Sequence, residues 1–456
     1  MAFFRYATMK QKRILAVHDI SCVGRCSLTV ALPIISSVGI ECSVLPTAVL
    51  STHTGGFKGY TYRDLTEDIM PIDAHWHTLG LKMDAVYTGF LGSFEQIDLV
   101  SKLFDDVSDD GTVIYVDPVM ADKGVLYPVF GPDFPAGMRK LCEKANVIMP
   151  NMTELTLMLG EEYKDGPYTH DYVDSMFEKA RVFGVDKIII TGVSFEKGVV
   201  GAVFMDYVTG TKGECMRPEI PGYYHGTGDV FGSALVAACE YGLSLKEAVS
   251  CAVELTVNSI ISTHSAGDDV RYGVRFEESL YDYVTMVRNS GGPRIIRAVS
   301  DSEIRLVSSV AESVWMEAYA GVVPDDQICY MLRNYQTFES IRKQIDDGYI
   351  YDALYEGGKI RGFVGYTDIP SKKMVFLSKI YILADSRGKG YADILFGCVE
   401  EYAKAKGEKV IQLTVNRNNA NAISVYEHHG FKKVAEEDKD IGCGYVMNDF
   451  VMELEL

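Results

Sequence analysis

The residues best placed to do chemistry are Gly226-Thr227-Gly228-Asp229, which run directly into an apolar stretch holding Val230, Phe231, Ala234, Leu235 and Ala238. Small residues ahead of a helix let the backbone close on an anion, and the first free N–H groups of the helix then point at it. An aspartate at that mouth can accept the proton of an attacking hydroxyl, and positioning with charge neutralisation is most of what phosphoryl transfer asks of a protein. The same four residues also fit an ordinary helix start, with glycine turning the chain and aspartate complementing the dipole. A second glycine-rich turn, Arg387-Gly388-Lys389-Gly390-Tyr391-Ala392, follows an expected strand over 379–383 and precedes Leu395, Phe396, Val399, Tyr402 and Ala403 at helical spacing. Successive backbone N–H groups there can chelate a pyrophosphate, although an exposed turn would read the same way.

Both turns need a frame. Short β-branched runs at 14–17, 85–88, 112–116, 146–149 and 187–191 alternate with longer helical segments, which predicts an α/β domain with a mainly parallel sheet between two helical layers. In such sheets ligands bind outside the carboxyl ends of the strands. Asn289-Ser290-Gly291-Gly292-Pro293 breaks the pattern, so the expected division is a domain over 1–288, a linker over 289–294 and a second α/β domain over 295–456. The second domain reads as a strand at 295–299, helices, a strand pair around 349–366, a long strand over 375–383 and then the glycine-rich turn.

The bulk numbers agree with two cores and restrict the partners. A chain of 456 residues exceeds the roughly 250–300 at which single cores stop growing. A formal charge of -19 opposes non-specific binding to nucleic acid or anionic lipid, so the expected partners are small molecules held by local features. Ten scattered cysteines and the lack of a secretory pattern at the start fit a reducing cytoplasm. No apolar run reaches the ~20 residues that span a bilayer.

Several ordered blocks in the first domain resemble the pyridoxal kinase branch of the ribokinase-like superfamily: Val23-Gly24, Leu50-Ser51-Thr52-His53-Thr54-Gly55, Thr88-Gly89-Phe90-Leu91-Gly92-Ser93, Val116-Asp117-Pro118-Val119, Pro150-Asn151-Met152-Thr153-Glu154-Leu155 and the Gly226 turn. The resemblance implies a three-layer α/β/α fold and ATP-dependent phosphorylation of the 5′-hydroxymethyl group of a vitamin B6 vitamer. Asp229 would be the base, and Gly226, Thr227 and Gly228 the anion hole. Asp117, Asp122, Tyr127, Asn151, Glu154 and Thr191 would lie on the ATP side, with Asp117 and Glu154 organising Mg2+, partly through water, and K+ as a further expected cation. Asp19, His53, Thr54 and Phe90 would face the acceptor, and the family implies a homodimer through this domain. Hydroxymethylpyrimidine phosphate kinases share the fold but carry Gly-Gly-Ala-Gly after the first strand, where this chain has Cys22-Val23-Gly24-Arg25-Cys26. They and other ribokinase-like kinases are the alternative reading.

The second domain resembles the GNAT acetyltransferases, through the Arg387–Ala392 turn and through Val415-Asn416-Arg417-Asn418-Asn419 leading to Tyr426-Glu427-His428-His429-Gly430-Phe431. That resemblance implies a mixed central sheet and acetyl-CoA bound by Arg387, Gly388, Lys389, Gly390, Tyr391, Ala392 and Asn419. Tyr426 would be the acid for the departing thiolate, a role suited to a phenol of ordinary pKa near 10. A CoA-sensing module without turnover is the alternative.

Overall fold

The computed structural model describes residues 11–318, 323–357 and 359–456. They divide into two compact units, 11–291 and 292–456.

The first unit is built on strands β1 (Arg13–Ser21), β2 (Glu41–Leu50), β3 (Tyr62–Asp64), β4 (Ala85–Thr88), β5 (Val113–Val116), the small hairpin β6 (Ala121–Asp122) and β7 (Val125–Leu126), β8 (Val147–Ile148), β9 (Lys187–Val193), β10 (Val199–Asp206) and β11 (Thr211–Pro218). All but the hairpin form one sheet in the order β11-β10-β9-β8-β5-β4-β1-β2-β3. From β9 to β2 every pairing is parallel, while β3, β10 and β11 add antiparallel edges. Alternate residues of β1 feed opposite layers: Ile14 and Ala16 pack with helices α1 (Leu28–Ser37), α7 (Thr227–Tyr241), α8 (Leu245–Ala266) and α9 (Leu280–Asn289). Leu15 and Val17 pack with α2 (Thr66–Thr78), α3 (Phe94–Val107), α4 (Phe134–Cys142), α5 (Met152–Leu159) and α6 (His170–Ala180). A strand buried on both faces reads as a continuous apolar run, which is why β1 and β4 stand out in the sequence.

The second unit orders its strands β12-β13-β14-β15-β16-β18-β17, with β12 (Arg294–Arg297), β13 (Ile350–Glu356), β14 (Lys359–Ile369), β15 (Met374–Ile382), β16 (Val410–Asn416), β17 (Lys432–Gly442) and β18 (Tyr445–Glu455). The sheet is mixed: β15 and β16 are parallel and the other neighbours antiparallel. One face packs on α10 (Asp301–Ala318) and on α12 (Phe338–Asp346), which follows α11 (Asp325–Tyr335). The other face carries α13 (Tyr391–Lys406) and α14 (Ala420–His428). The β15–β16 pairing stops at Leu377↔Leu413, although both strands run on, so their ends part and leave a gap between them.

Candidate functional sites

In the first unit the candidate residues collect where the parallel strands end. Asp117 follows β5 directly and hangs by its N–H from the Thr88 carbonyl (3.0 Å) at the end of β4. Asn151 caps α5 in a reciprocal box: its side chain accepts from the Glu154 N–H (2.9 Å) and its own N–H donates to Glu154 (2.8 Å). The other oxygen of Glu154 accepts from the Met120 N–H, and the Asn151 amide donates to the Ala121 carbonyl, tying α5 to the β6–β7 hairpin. Thr191 pairs with Asn151 across the sheet, its N–H on the Pro150 carbonyl. Asp122 lies in the hairpin and Tyr127 just beyond it; burial, then the Glu154 charge, raises the Tyr127 phenol.

Gly226 caps α7 in the left-handed region (φ 75°), and a Cβ there would stand 2.2 Å from the Arg25 carbonyl oxygen. Close approach as well as conformation therefore requires glycine. Thr227 turns its hydroxyl back to the Tyr224 carbonyl, Gly228 is exposed, and Asp229 is the third residue of the helix. Asp229 keeps a partly accessible face, yet protein crowds it closely enough that desolvation pushes its carboxyl up to about 7. Glu154 is pushed up to about 8 by burial, and Asp117 is raised by burial and then by the Glu154 and Asp229 charges. Burial is the largest cause of all three shifts, and no Lys or Arg is among the main ones. Carboxylates gathered in this way suit a divalent ion, and Asp117 and Glu154 are the two that would hold it. Among the described residues no three or more His, Cys, Asp or Glu form a metal cage, so nucleotide phosphates and water would complete the shell.

On the acceptor side, Thr54 is exposed, whereas His53 is buried with both ring nitrogens committed. Its Nδ1 accepts from the Gly55 N–H (3.1 Å), so Nε2 carries the proton that it donates to the Arg271 carbonyl. Phe90 is half-buried, its ring 5.5 Å from Phe130. Asp19 is 5% exposed and turns its carboxylate to the hydroxyl of Ser27 (2.6 Å). His18 is fully buried edge-on to Tyr87, where burial pushes it down to about 3 and keeps it neutral; any side chain on Gly89 would overlap its ring. One neighbour escaped the motif reading: His225, directly before the Gly226 turn, lies 5.2 Å from His53 and against Gly55. Its adjacency to the motif was the available signal.

In the second unit the parted ends of β15 and β16 open a cavity of about 800 Å³. Arg387, Gly388, Gly390, Tyr391, Ala392, Asn419 and Tyr426 line it, and Lys389 does not. Gly388 and Gly390 both sit at φ 76° with no protein atom within 3.8 Å of a built Cβ, so backbone conformation rather than crowding calls for glycine here. The Arg387 guanidinium is held by Glu317 (2.8 Å), and the Tyr391 hydroxyl donates to Glu356. Asn419 caps α14 by accepting from the Ala422 N–H. Tyr426 is half-buried between the cavity and the rings of Phe396 and Phe431. His428 and His429 also line the cavity.

A family model described as phosphomethylpyrimidine kinase matches residues 32–272, more than half of the chain. The chain belongs to the phosphomethylpyrimidine kinase family. Its C-terminal part is a GNAT acetyltransferase domain, matched over residues 315–431. Within the kinase family, pyridoxine kinase of Bacillus subtilis is 33% identical over 40% of this chain; the chain spans 66% of that protein, just under two thirds. A candidate phosphomethylpyrimidine kinase of Bacteroides thetaiotaomicron, whose orthorhombic crystal form was solved with pyridoxal, is 37% identical with a TM-score of 0.58, covering 60% of this chain and 96% of that one. The GNAT part is 26% identical to spermidine N(1)-acetyltransferase of Thermoplasma acidophilum, over 35% of this chain and 94% of that protein.

Proposed function

We propose that the first unit phosphorylates the 5′-hydroxymethyl group of a B6 vitamer with ATP. The observation that carries this reading is Asp229, a carboxyl pushed up to about 7 by desolvation, whose charge reaches Asp117 at the end of β5, on the first turn of a helix whose Gly226 start abuts the Arg25 carbonyl in the loop after β1. In the proposed step, Asp229 takes the hydroxyl proton as the oxygen attacks the γ-phosphorus, and the bond from that phosphorus to the bridging β–γ oxygen breaks to release ADP. The N–H groups of 226–228 receive charge on the transferring phosphoryl group. Mg2+ held by Asp117 and Glu154 would neutralise phosphate charge. Asn151, Thr191, Asp122 and Tyr127 shape the nucleotide side, with K+ as an additional cation.

The B6 assignment rests on the pyridoxine kinase relative, on pyridoxal in the Bacteroides structure and on Cys22–Cys26 in place of the Gly-Gly-Ala-Gly turn. The family description favours hydroxymethylpyrimidine phosphate as the second candidate. ATP consumption compared across pyridoxal, pyridoxamine, pyridoxine, hydroxymethylpyrimidine and ribose decides between them: a B6 vitamer should be the preferred acceptor, and preference for the pyrimidine would overturn the assignment.

For the second unit we propose acetyl-CoA in the β15–β16 gap, its pyrophosphate on the 387–392 turn, and transfer to a primary amine with Tyr426 protonating the thiolate. The spermidine acetyltransferase relative makes a polyamine the first acceptor to test. Saturable acetyl-CoA binding without acetyl transfer to any amine would favour the sensor reading.

A further inference from the structure

The ring of His429 sits between two oxygens. Its Nδ1 lies 2.8 Å from the Val425 carbonyl oxygen and its Nε2 2.7 Å from a carboxylate oxygen of Asp393. Both partners only accept, so both contacts are hydrogen bonds when each ring nitrogen carries a proton, and the ring is then an imidazolium. The surroundings favour that charge: His429 stands at the C-terminal end of α14, where the helix dipole is negative, and its ring is 4.1 Å from that of Phe396. His429 lines the β15–β16 cavity, but with both N–H groups committed it has none left to offer a ligand. Its partner explains its place. Asp393 is in the first turn of α13, and its second oxygen lies 3.9 Å from a Cβ built on Gly390. A negative charge there stands beside the backbone N–H groups on which the pyrophosphate is proposed to rest, and uncompensated it would repel that dianion.

We propose that His429 is a positioning residue for acetyl-CoA: as an imidazolium it ties the end of α14 to the first turn of α13 and neutralises Asp393, which leaves the 387–392 turn fit to take the pyrophosphate. This rests on the reading of the cavity as the acetyl-CoA site. His429 acts on the ligand through Asp393 and not by contact, so loss of its charge harms binding only while residue 393 is an acid. Glutamine at 429 and asparagine at 393 each keep a hydrogen-bonding group for the tie while removing one charge, and the two together separate charge from packing.

The full-length protein is titrated with acetyl-CoA by calorimetry at low and high salt, as wild type, His429→Gln, Asp393→Asn and the double variant His429→Gln/Asp393→Asn, with melting temperature as a check on folding. His429→Gln should weaken binding about tenfold at low salt. That loss should shrink to within about twofold of the wild type near 1 M salt, where the Debye length is about 3 Å. Asp393→Asn should bind at least as tightly as the wild type, and the double variant should bind within about threefold of Asp393→Asn. The proposal is overturned if the loss in His429→Gln persists undiminished at high salt, or if the double variant is no better than His429→Gln. It is overturned as well if Asp393→Asn loses as much as His429→Gln, which would make the pair a packing tie between two helices. A wild type that binds no acetyl-CoA sinks the reading of the cavity and the proposal with it, whereas a wild type that binds while His429→Gln binds equally well sinks the proposal alone.

Discussion

At the scale of single residues, the proposed phosphoryl transfer turns on one carboxyl, Asp229, that burial pushes up to about 7. A base must be ionised to act, so kcat/KM should fall as pH drops through about 7 and level off above it. A profile flat from pH 5.5 to 8 would separate Asp229 from the rate. The group also bears on stability with a definite sign. Its folded pKa lies above the ordinary 3.8, so the folded state binds more protons than the unfolded chain between those values, and this carboxyl makes the fold less stable as pH rises from about 4 to 7. The helix start at Gly226–Asp229 was legible from the sequence, because small residues ahead of a helically spaced apolar run mark one. The Asp19–Ser27 link was not, since eight residues separate the pair. His53 illustrates the same limit: the sequence places it in the acceptor loop, while its nitrogens are engaged inward with Gly55 and Arg271.

At the scale of elements, the two glycine-rich turns make contrasting demands. Gly226→Ala combines a left-handed backbone with a Cβ 2.2 Å from the Arg25 carbonyl, so it should lower the melting temperature of the kinase unit and abolish phosphoryl transfer. Gly388→Ala meets open space and bears only the left-handed penalty of about 1–2 kcal/mol, which should appear as roughly tenfold weaker acetyl-CoA binding with little loss of fold. Calorimetric titration with scanning calorimetry on both variants checks the contrast. Lys379 on β15 supplies a different test. It is 6% exposed, donates to Gln344 (2.6 Å) and Tyr351, and is pushed down to about 7 by burial. The unfolded chain therefore holds a proton there that the folded unit has released, so this group adds stability as pH rises from about 7 toward 10.5. The melting temperature of the acetyltransferase unit should climb over that range, and Lys379→Met should remove the climb. In the first unit the strands that sequence reading found are the central parallel ones, β1, β4, β5, β8 and β9. β2 escaped it because Pro46 and Thr47 interrupt its apolar run, with Pro46 tolerated beside the irregularity that shifts the β1–β2 register between His18 and Ile20.

At the scale of the whole molecule, each unit has its own sheet and its own apolar clusters, and among the described residues none belongs to clusters of both. The helix α9 ends at Asn289 and β12 begins at Arg294, so the chain between them belongs to neither core. Fragments ending at Gly291 and beginning at Gly292 should each fold and melt cooperatively on their own. Failure of either to do so would show that the cores are interdependent. The split between Gly291 and Gly292 falls in the polar, glycine-rich Asn289–Pro293, a stretch that composition marks, whereas the parting of β15 and β16 leaves no such mark, since strand register is fixed by pairing partners far away in sequence. The most direct test of the central claim follows pyridoxal 5′-phosphate formation from pyridoxal and MgATP by the intact protein and by Asp229→Asn, with ATP affinity measured alongside. The account predicts product from the wild type, a loss of about a thousandfold or more in the variant, and ATP affinity unchanged within about threefold. Turnover surviving in Asp229→Asn would contradict it.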